Sequence, residues 1–281
     1  MPDQFLIGYS PNYQFRFIVA SFSELIQEQT EIHDLNANSA SLFSKTILGT
    51  FFLASSLKNE ERISIQWKNP NHLDMLVFSD RYGNVKASAT EIKHRTNSQN
   101  SEIIDPTLMN VLRWDQETVV YKSVTEILPG SLEENLENYF LNSDQLPTKL
   151  KFFYQHKKDS KPQVLGFLIQ SLPGASEEQL NGWNTRLSGL FLQETTEASS
   201  DEELYKELVT RLEDDLQILS EGSPSIYCEC SWEKIRTALL LLGKTEAESL
   251  FESKKEEIEV KCEFCRKAFY FNYQDIVDLF S

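Results

Sequence analysis

Two short cysteine motifs, Cys228-Glu229-Cys230 and Cys262-Glu263-Phe264-Cys265, decide how the C-terminal part of this chain folds. They hold all four cysteines of the 281-residue sequence, and 31 residues separate them. Two close thiol pairs a few tens of residues apart are typical of a tetrahedral zinc site, in which two turns each supply two thiolates. The sequence therefore predicts one zinc ion bound by these four sulfurs. The alternative, two structural disulfides, would require an oxidising compartment.

The first motif has one residue between its cysteines, fewer than an ordinary zinc ribbon has. This spacing makes a tight chelate and, after oxidation, a strained disulfide ring. Thiolates are also the species that oxidants attack, and a cysteine pair oxidised to a disulfide no longer holds a metal ion. Metal binding and oxidation are therefore expected to exclude each other. Glu229 adds a carboxylate beside the thiolates, which should raise the pKa of the thiols.

Charge and composition limit the classes of partner. The formal net charge is −16 and the isoelectric point is about 4.8, so nucleic acids and anionic membranes would be repelled. The stretch from Met1 to Gln4 lacks the basic and apolar regions of a signal peptide, and no apolar run approaches the length of a membrane span. We therefore expect a cytoplasmic protein with reduced thiols, and neither nucleic acid nor membrane as a partner.

Residues 1–174 mix strand and helix patterns and predict an α+β domain with one substantial mixed or antiparallel sheet. Strands are indicated by β-branched and aromatic runs bounded by turn residues. These runs are Phe15 to Val19, Arg62 to Trp67, Leu73 to Phe78, Thr118 to Val124, Leu150 to Tyr154 and Val164 to Leu172, with helices over Ser39 to Leu57 and Leu132 to Leu141.

Residues 175–225 predict an acidic, amphipathic helical linker. Capping-box patterns begin at Ser176 and Ser200, and each is followed by an apolar stripe on one helical face. The stripes are Leu180, Trp183, Leu187, Leu190 and Phe191 in the first helix, and Leu204, Leu208, Leu212, Leu216 and Leu219 in the second. The segment from Glu194 to Glu221 carries ten acidic and two basic residues, a net charge of −8. It is either an ordinary helical layer on the sheet or a segment that tends toward disorder once it undocks.

Residues 226–281 predict a small zinc domain. Ser231 and Thr245 are candidate helix caps, Gly243 ends the first helix, and Glu259 to Cys262 and Ala268 to Phe271 resemble short strands. Such a unit has little core of its own, whereas structural zinc contributes roughly 10–16 kcal/mol to folding. Removing the metal should therefore unfold it.

An enzyme is not expected. Four thiolates close the coordination sphere of zinc, whereas catalytic zinc keeps a position open. The histidines, His33, His72, His94 and His156, follow no ligand spacing and are expected in surface or loop positions. The chain also lacks GxSxG, Walker A, GxGxxG and HExxH motifs.

Two other zinc proteins compete with a redox switch. A nucleic-acid-binding ribbon is disfavoured because four glutamates lie among the basic residues near the second motif and cancel their positive charge. Together with Lys234, these basic residues are expected to offset the negative charge of the four thiolates. These basic residues are Lys254, Lys255, Lys261, Arg266 and Lys267. The second competitor is a constitutive zinc-ribbon interaction module, which the four cysteines alone would favour.

The C-terminal residues resemble the zinc domain of the redox-regulated 33 kDa heat-shock chaperone family. The similarity lies in both cysteine motifs, in Ala238 to Gly243, in Ile258 to Cys265, and in Tyr270, Phe271, Asp275, Ile276, Leu279 and Phe280. It continues more thinly through Leu132 to Thr148. The turn at Lys68 to His72 departs from the family, because it lacks the usual glycines.

The resemblance implies a redox-switched, ATP-independent holdase that is zinc-bound and inactive when reduced. It also implies disulfides Cys262–Cys265 and then Cys228–Cys230 under strong oxidant; proximity in sequence agrees, although four cysteines allow three connectivities. Zinc would leave and the linker would be released. The expected partners are unfolding or oxidatively damaged client proteins and, in the oxidised form, a second copy of the chain.

Overall fold

A computed structural model describes residues 2–58, 60–68, 73–91, 108–156, 160–193, 200–212, 216–251 and 256–281. They form two compact units, Met1–Ile226 and Tyr227–Ser281. Each unit has its own hydrophobic cluster, and the chain is α+β as predicted. Residues 69–72 of the turn that departs from the family pattern lie outside the described residues.

The first unit is built from strands and helices in alternating groups. Its strands are β1 Gln4–Ser10, β2 Phe15–Ser21, β3 Glu61–Lys68, β4 Leu73–Asp80, β5 Asn84–Glu91, β6 Leu108–Asp115, β7 Thr118–Glu126, β8 Thr148–Gln155, β9 Gln163–Ser171, β10 Gln217–Gly222 and β11 Ser225–Ile226. Its helices are α1 Ser23–Ile32, α2 Ala37–Ala54, α3 Leu132–Tyr139 with a π-helical turn Phe140–Asp144, α4 Glu177–Gln193 and α5 Asp201–Thr210. Every strand and helix predicted before residue 174 is present.

These strands form two sheets. Sheet A has the order β10-β1-β2-β9-β8, and sheet B has the order β11-β5-β4-β3-β6-β7. Neighbouring strands are antiparallel except for β11, which runs parallel to β5. The prediction of one substantial sheet is wrong, because α2 is buried almost all round and packs against strands of both sheets.

Helix α2 is the centre of the first unit. Phe43, Ile47, Phe51 and Phe52 are fully buried in a cluster that also takes in the inner faces of both sheets. Three hydroxyls on this helix are satisfied locally, since Ser44, Thr46 and Thr50 each donate to the carbonyl four residues earlier. A helix with buried hydroxyls can therefore pass between two sheets without unpaired polar groups.

The other face of sheet A is covered by α4 and α5. Buried leucines of the two helices pack on Phe15, Phe17 and Phe167 of the sheet; they are Leu180, Leu187, Leu204, Leu208 and, just after α5, Leu212. The capping box of Ser200 and Glu203 is confirmed by reciprocal hydrogen bonds. The side chains of Leu190 and Phe191 lie outside the described residues.

The second linker helix is shorter than predicted. Helix α5 ends at Thr210, and the prediction that its apolar stripe continues through Leu216 and Leu219 is wrong. Residues 217–222 instead form strand β10, which pairs antiparallel with β1. The free edge of β1 supplies backbone partners that a helix would not use.

The second unit is a β-hairpin with three short helices. Its elements are α6 Trp232–Leu242, α7 Lys244–Ser249, β12 Glu257–Lys261, β13 Ala268–Asn272 and α8 Tyr273–Leu279. Ser231 caps α6 as predicted, because its hydroxyl accepts from Lys234 N. Thr245 does not cap α7, because the helix already starts at Lys244 with Gly243 in the N-cap position. Over the described residues of both units, no helix has the length and hydropathy to span a bilayer.

Candidate metal centre

The four cysteines lie on two turns of the second unit. Cys228 and Cys230 precede α6, and the second pair occupies the turn between β12 and β13. This turn is closed by two backbone hydrogen bonds, from Cys262 N to Lys267 O at 3.0 Å and from Arg266 N to Cys262 O at 2.9 Å. Arg266 has φ of 57°, the left-handed conformation that usually favours glycine. The backbone thus turns sharply enough to aim both sulfurs to the same side.

The two turns bring all four sulfurs together. Every pair of Sγ atoms lies within 4.8 Å. The distance is 3.6 Å between Cys228 and Cys262, and 3.4 Å between Cys230 and Cys265. Four sulfurs bound tetrahedrally at the usual zinc–sulfur length of about 2.3 Å would lie about 3.8 Å from one another. The donor set and its spacing therefore fit a tetrahedral thiolate metal site.

The surroundings of the thiols differ. Burial raises the pKa of Cys228, and burial together with the neighbouring thiol of Cys265 raises the pKa of Cys230. Burial would also raise the pKa of Cys262, but backbone N–H groups of Cys265 and Phe264 donate to its sulfur and lower the pKa. In the metal-free site, these N–H groups favour the thiolate form of Cys262, whereas burial disfavours the thiolate forms of Cys228 and Cys230.

Two ion pairs lie beside the site. Lys234 lies 3.5 Å from Glu229, and Lys261 lies 3.1 Å from Glu259. The hydroxyl of Tyr227 also donates to Glu229. The carboxylate inside the first motif is therefore held by a lysine and a tyrosine.

The sulfurs are part of the small core of the second unit. Cys262 is buried, and the other three cysteines pack against a cluster that includes Phe269, Phe271 and Ile276. Trp232, the first residue of α6, stacks on Phe271 with ring centroids 4.2 Å apart. This contact, which the sequence analysis missed, joins the helix after the first turn to the hairpin that carries the second.

The histidines stand apart from the cysteines. His33 and His156 belong to the first unit, whereas His72 and His94 lie outside the described residues. His33 lies in the turn after α1, which agrees with the expected surface or loop position, but it is buried there, with Nε2 3.2 Å from Ala87 O. Within the described parts of the chain, the four cysteines form the one group of three or more potential His, Cys, Asp or Glu ligands close enough to share a metal ion.

The chain is similar to known proteins over nearly its whole length. The 33 kDa chaperonin of Streptococcus agalactiae serotype III is 27% identical over 98% of this chain and 97% of its own length. The 33 kDa chaperonin of Clostridium perfringens is 26% identical over 98% of this chain and 90% of its own length. The crystal structure of the 33 kDa chaperonin (Hsp33 homologue) of Thermotoga maritima has the same fold, with a TM-score of 0.76 at 17% identity, and the match covers 99% of this chain and 98% of that one. The Hsp33 protein family model matches residues 3–272, and the chain therefore belongs to the Hsp33 family.

Proposed function

We propose that this protein is a cytoplasmic, redox-regulated holdase chaperone that binds unfolding or oxidatively damaged proteins and limits their aggregation without ATP. Membership of the Hsp33 family and the relatives named 33 kDa chaperonin support the chaperone activity. The observation that carries the redox regulation is the meeting of four sulfurs from two separate turns, all within 4.8 Å of one another.

In the reduced state, Cys228, Cys230, Cys262 and Cys265 would hold one zinc ion. The bound ion would keep the four sulfurs ionised and contribute roughly 10–16 kcal/mol to folding. The same sulfurs contact the apolar cluster of the second unit, so their position and the packing of Phe271 depend on each other. A unit of this size has little other burial to keep it folded.

Oxidation would convert the four thiolates to two disulfides, which no longer hold the zinc ion. For each disulfide, two thiolates lose two electrons and a sulfur–sulfur bond forms, while one hydrogen peroxide takes up these electrons and two protons from the solvent to give two waters. We assign the bonds to Cys262–Cys265 first and Cys228–Cys230 second, because these partners are nearest in sequence and because the family pattern favours them.

The first unit supplies the surface that would bind clients. Residues 1–174 act as the substrate domain, residues 175–225 as the regulatory linker and residues 226–281 as the redox switch. Helices α4 and α5 cover apolar residues of sheet A, among them Phe17, and their release would expose both apolar faces. The negative charge of this linker favours release once the docked contacts weaken. The active form is proposed to be a dimer.

Three measurements on one sample test this function: zinc release with a colorimetric indicator, disulfide mapping by alkylation, and suppression of client aggregation. After peroxide with mild heat, we expect about one zinc ion per chain to be released, both sequence-local disulfides to form and aggregation to be suppressed. A Cys262→Ser/Cys265→Ser variant should lack the oxidant response. Equal suppression before and after oxidation, with zinc retained, would instead identify a constitutive zinc module.

A further inference from the structure

The segment Gln217–Ile226, here called the strap, closes one edge of each sheet in the first unit. Its first part, β10, pairs with β1 at the end of sheet A, and its last part, β11, pairs with β5 at the end of sheet B. Without β10, the seven-residue strand β1 would present a row of unpaired backbone N–H and C=O groups on its outer side. Such an edge binds other extended chains.

Strand β10 is held mainly through its backbone. Ile218 is 55% exposed and Leu219 is 60% exposed, and the side chains of Gln217 and Glu221 also face solvent. Beneath it, β1 is a core strand, with Phe5, Leu6 and Ile7 buried. Exchange of β10 for another strand would therefore cost few apolar side-chain contacts. Backbone hydrogen bonds are common to all sequences, so they can hold many different chains in this place.

The side chains that fix the strap lie at its two ends. Leu216, just before it, packs on the outer cluster of sheet A, and Tyr9 donates to Gln217 Oε1 at 2.5 Å. At the other end Ile226 packs against the central core of the first unit. The next residue, Tyr227, begins the second unit. Unfolding of the second unit would leave the strap attached to an unstructured tail, from which it can fray.

Close backbone packing marks the position of β10 on β1. A Cβ at Gly222 would lie 2.6 Å from the ring of Phe5, and a Cβ at Gly8 would lie 2.5 Å from Leu216. The register also shifts between Ile7 and Gly8. The pairing of β1 with β10 is thus interrupted near its centre. At the end where Phe5 lies opposite Gly222, the space beside the ring admits only glycine.

We propose that β10 occupies the site at which an extended segment of an unfolding client binds, and that the client strand replaces β10 along β1. This inference rests on the proposed holdase function and identifies its partner: an unfolded backbone in strand conformation. The backbone of β1 supplies the hydrogen bonds. The ring of Phe5 favours glycine at the position of Gly222, since any larger residue there would displace the ring.

A peptide that copies residues 216–224 tests the edge directly in the full-length protein. We expect the labelled peptide to bind the oxidised protein at least about tenfold more tightly than the reduced protein, in which β10 fills the site. Two control peptides have the same side chains but carry N-methyl groups on alternate residues. The first is methylated on every odd-numbered residue and the second on every even-numbered residue that has a backbone N–H group. Only one set of backbone N–H groups can face β1, so the two controls should differ by about tenfold in affinity. Equal binding of all three peptides, or equal binding to both redox forms, would overturn the proposal.

Hydrogen exchange with an unfolded model client identifies the occupant. Within Phe5 to Tyr9, the amides that face β10 should be protected in the reduced protein, exchange at least about tenfold faster after oxidation, and regain protection when client is added, whereas the amides that face β2 should stay protected throughout. Clients held while these amides continue to exchange fast would refute client binding at β1. Protection of the β1 amides that returns without client, in an oxidised protein of twice the monomer mass, would show that β10 of a second copy occupies the edge. This result would also refute client binding at β1. An oxidised protein that suppresses no aggregation would contradict the holdase function, whereas the peptide comparison would still decide whether the edge opens.

Discussion

Trp232 and Phe271 stack face to face, with ring centroids 4.2 Å apart and planes inclined by 16°. Trp232 lies one residue beyond the Ser231 cap, and Phe271 lies on the strand after the second cysteine turn. The stack therefore fixes the distance between the two halves of the sulfur site. Because its packing depends on that site, the fluorescence of Trp232 should report on the folding of the second unit.

Replacing Phe271 by alanine should destabilise the second unit by about 3 kcal/mol, because a fully buried ring is removed and a cavity remains. Phe271 is 1% exposed. We expect weaker zinc retention in a chelator competition and a lower denaturant midpoint for the Trp232 signal. Tyr270→Ala is the matched control, since Tyr270 is 50% exposed on the opposite side of the same strand. A similar loss in both variants would show that the stack does not support the site.

Stripping the metal from the reduced protein should unfold the second unit and leave the central strands of the first unit intact. The expectation follows from the short apolar cluster of residues 227–281, in which the cysteines themselves take part. Hydrogen exchange after chelation should show fast exchange in α6 and β13, with continued protection in β3 and β4. Protection of α6 that survives chelation would mean that the unit folds without metal.

Arg266 occupies a backbone conformation that costs a residue with a side chain about 1 kcal/mol relative to glycine. Its φ of 57° follows directly after the second cysteine pair. Arg266→Gly should therefore raise the stability of the second unit by about 1 kcal/mol, measured by denaturant unfolding at saturating zinc. In Lys267→Gly the same glycine is placed where φ is negative, and stability should fall. A loss of stability in both variants would show that the arginine side chain matters more than the strain.

The parts of the fold that the sequence predicted are those with strong local patterns. The apolar runs of β2 and β9 and the long apolar stripe of α2 predict these elements from local sequence alone. The four cysteines predict the sulfur site from their chemistry and spacing. Strand β10 could not be predicted in this way. Its exposed Ile218 and Leu219 show no alternation, and it is a strand because β1 offers a partner more than 200 residues away in sequence.

The helical linker shows that the start of a helix can be predicted from local sequence, whereas its end can depend on distant residues. The capping box at Ser200 is a local signal and is confirmed, but the end of α5 depends on the edge of sheet A. The two-sheet arrangement was missed for a related reason. Periodicity indicates that α2 is apolar on many sides, yet only the pairing of distant strands shows what covers each side.

The docking of α5 should strengthen as pH falls, because of Asp201. This residue begins α5, and burial raises the pKa of its carboxyl above the ordinary value of 3.8, although a hydrogen bond with Ser23 acts in the opposite direction. A raised carboxyl pKa means that the docked helix binds the proton more tightly than the released helix does. Docking should therefore gain stability as pH falls through the raised pKa, with the gain complete below 3.8. Slower amide exchange in α5 just below pH 3.8 than at about pH 7, after correction for intrinsic rates, would show this. Asp201→Asn should reduce that dependence and slow exchange at neutral pH.

Glu202→Gln is the control with the opposite pH dependence. The hydrogen bond and ion pair with Lys206 lower the pKa of Glu202, so the stability that Glu202 contributes to α5 is lost as pH falls. Equal pH dependence in the wild type and Asp201→Asn would show that another group controls the docking.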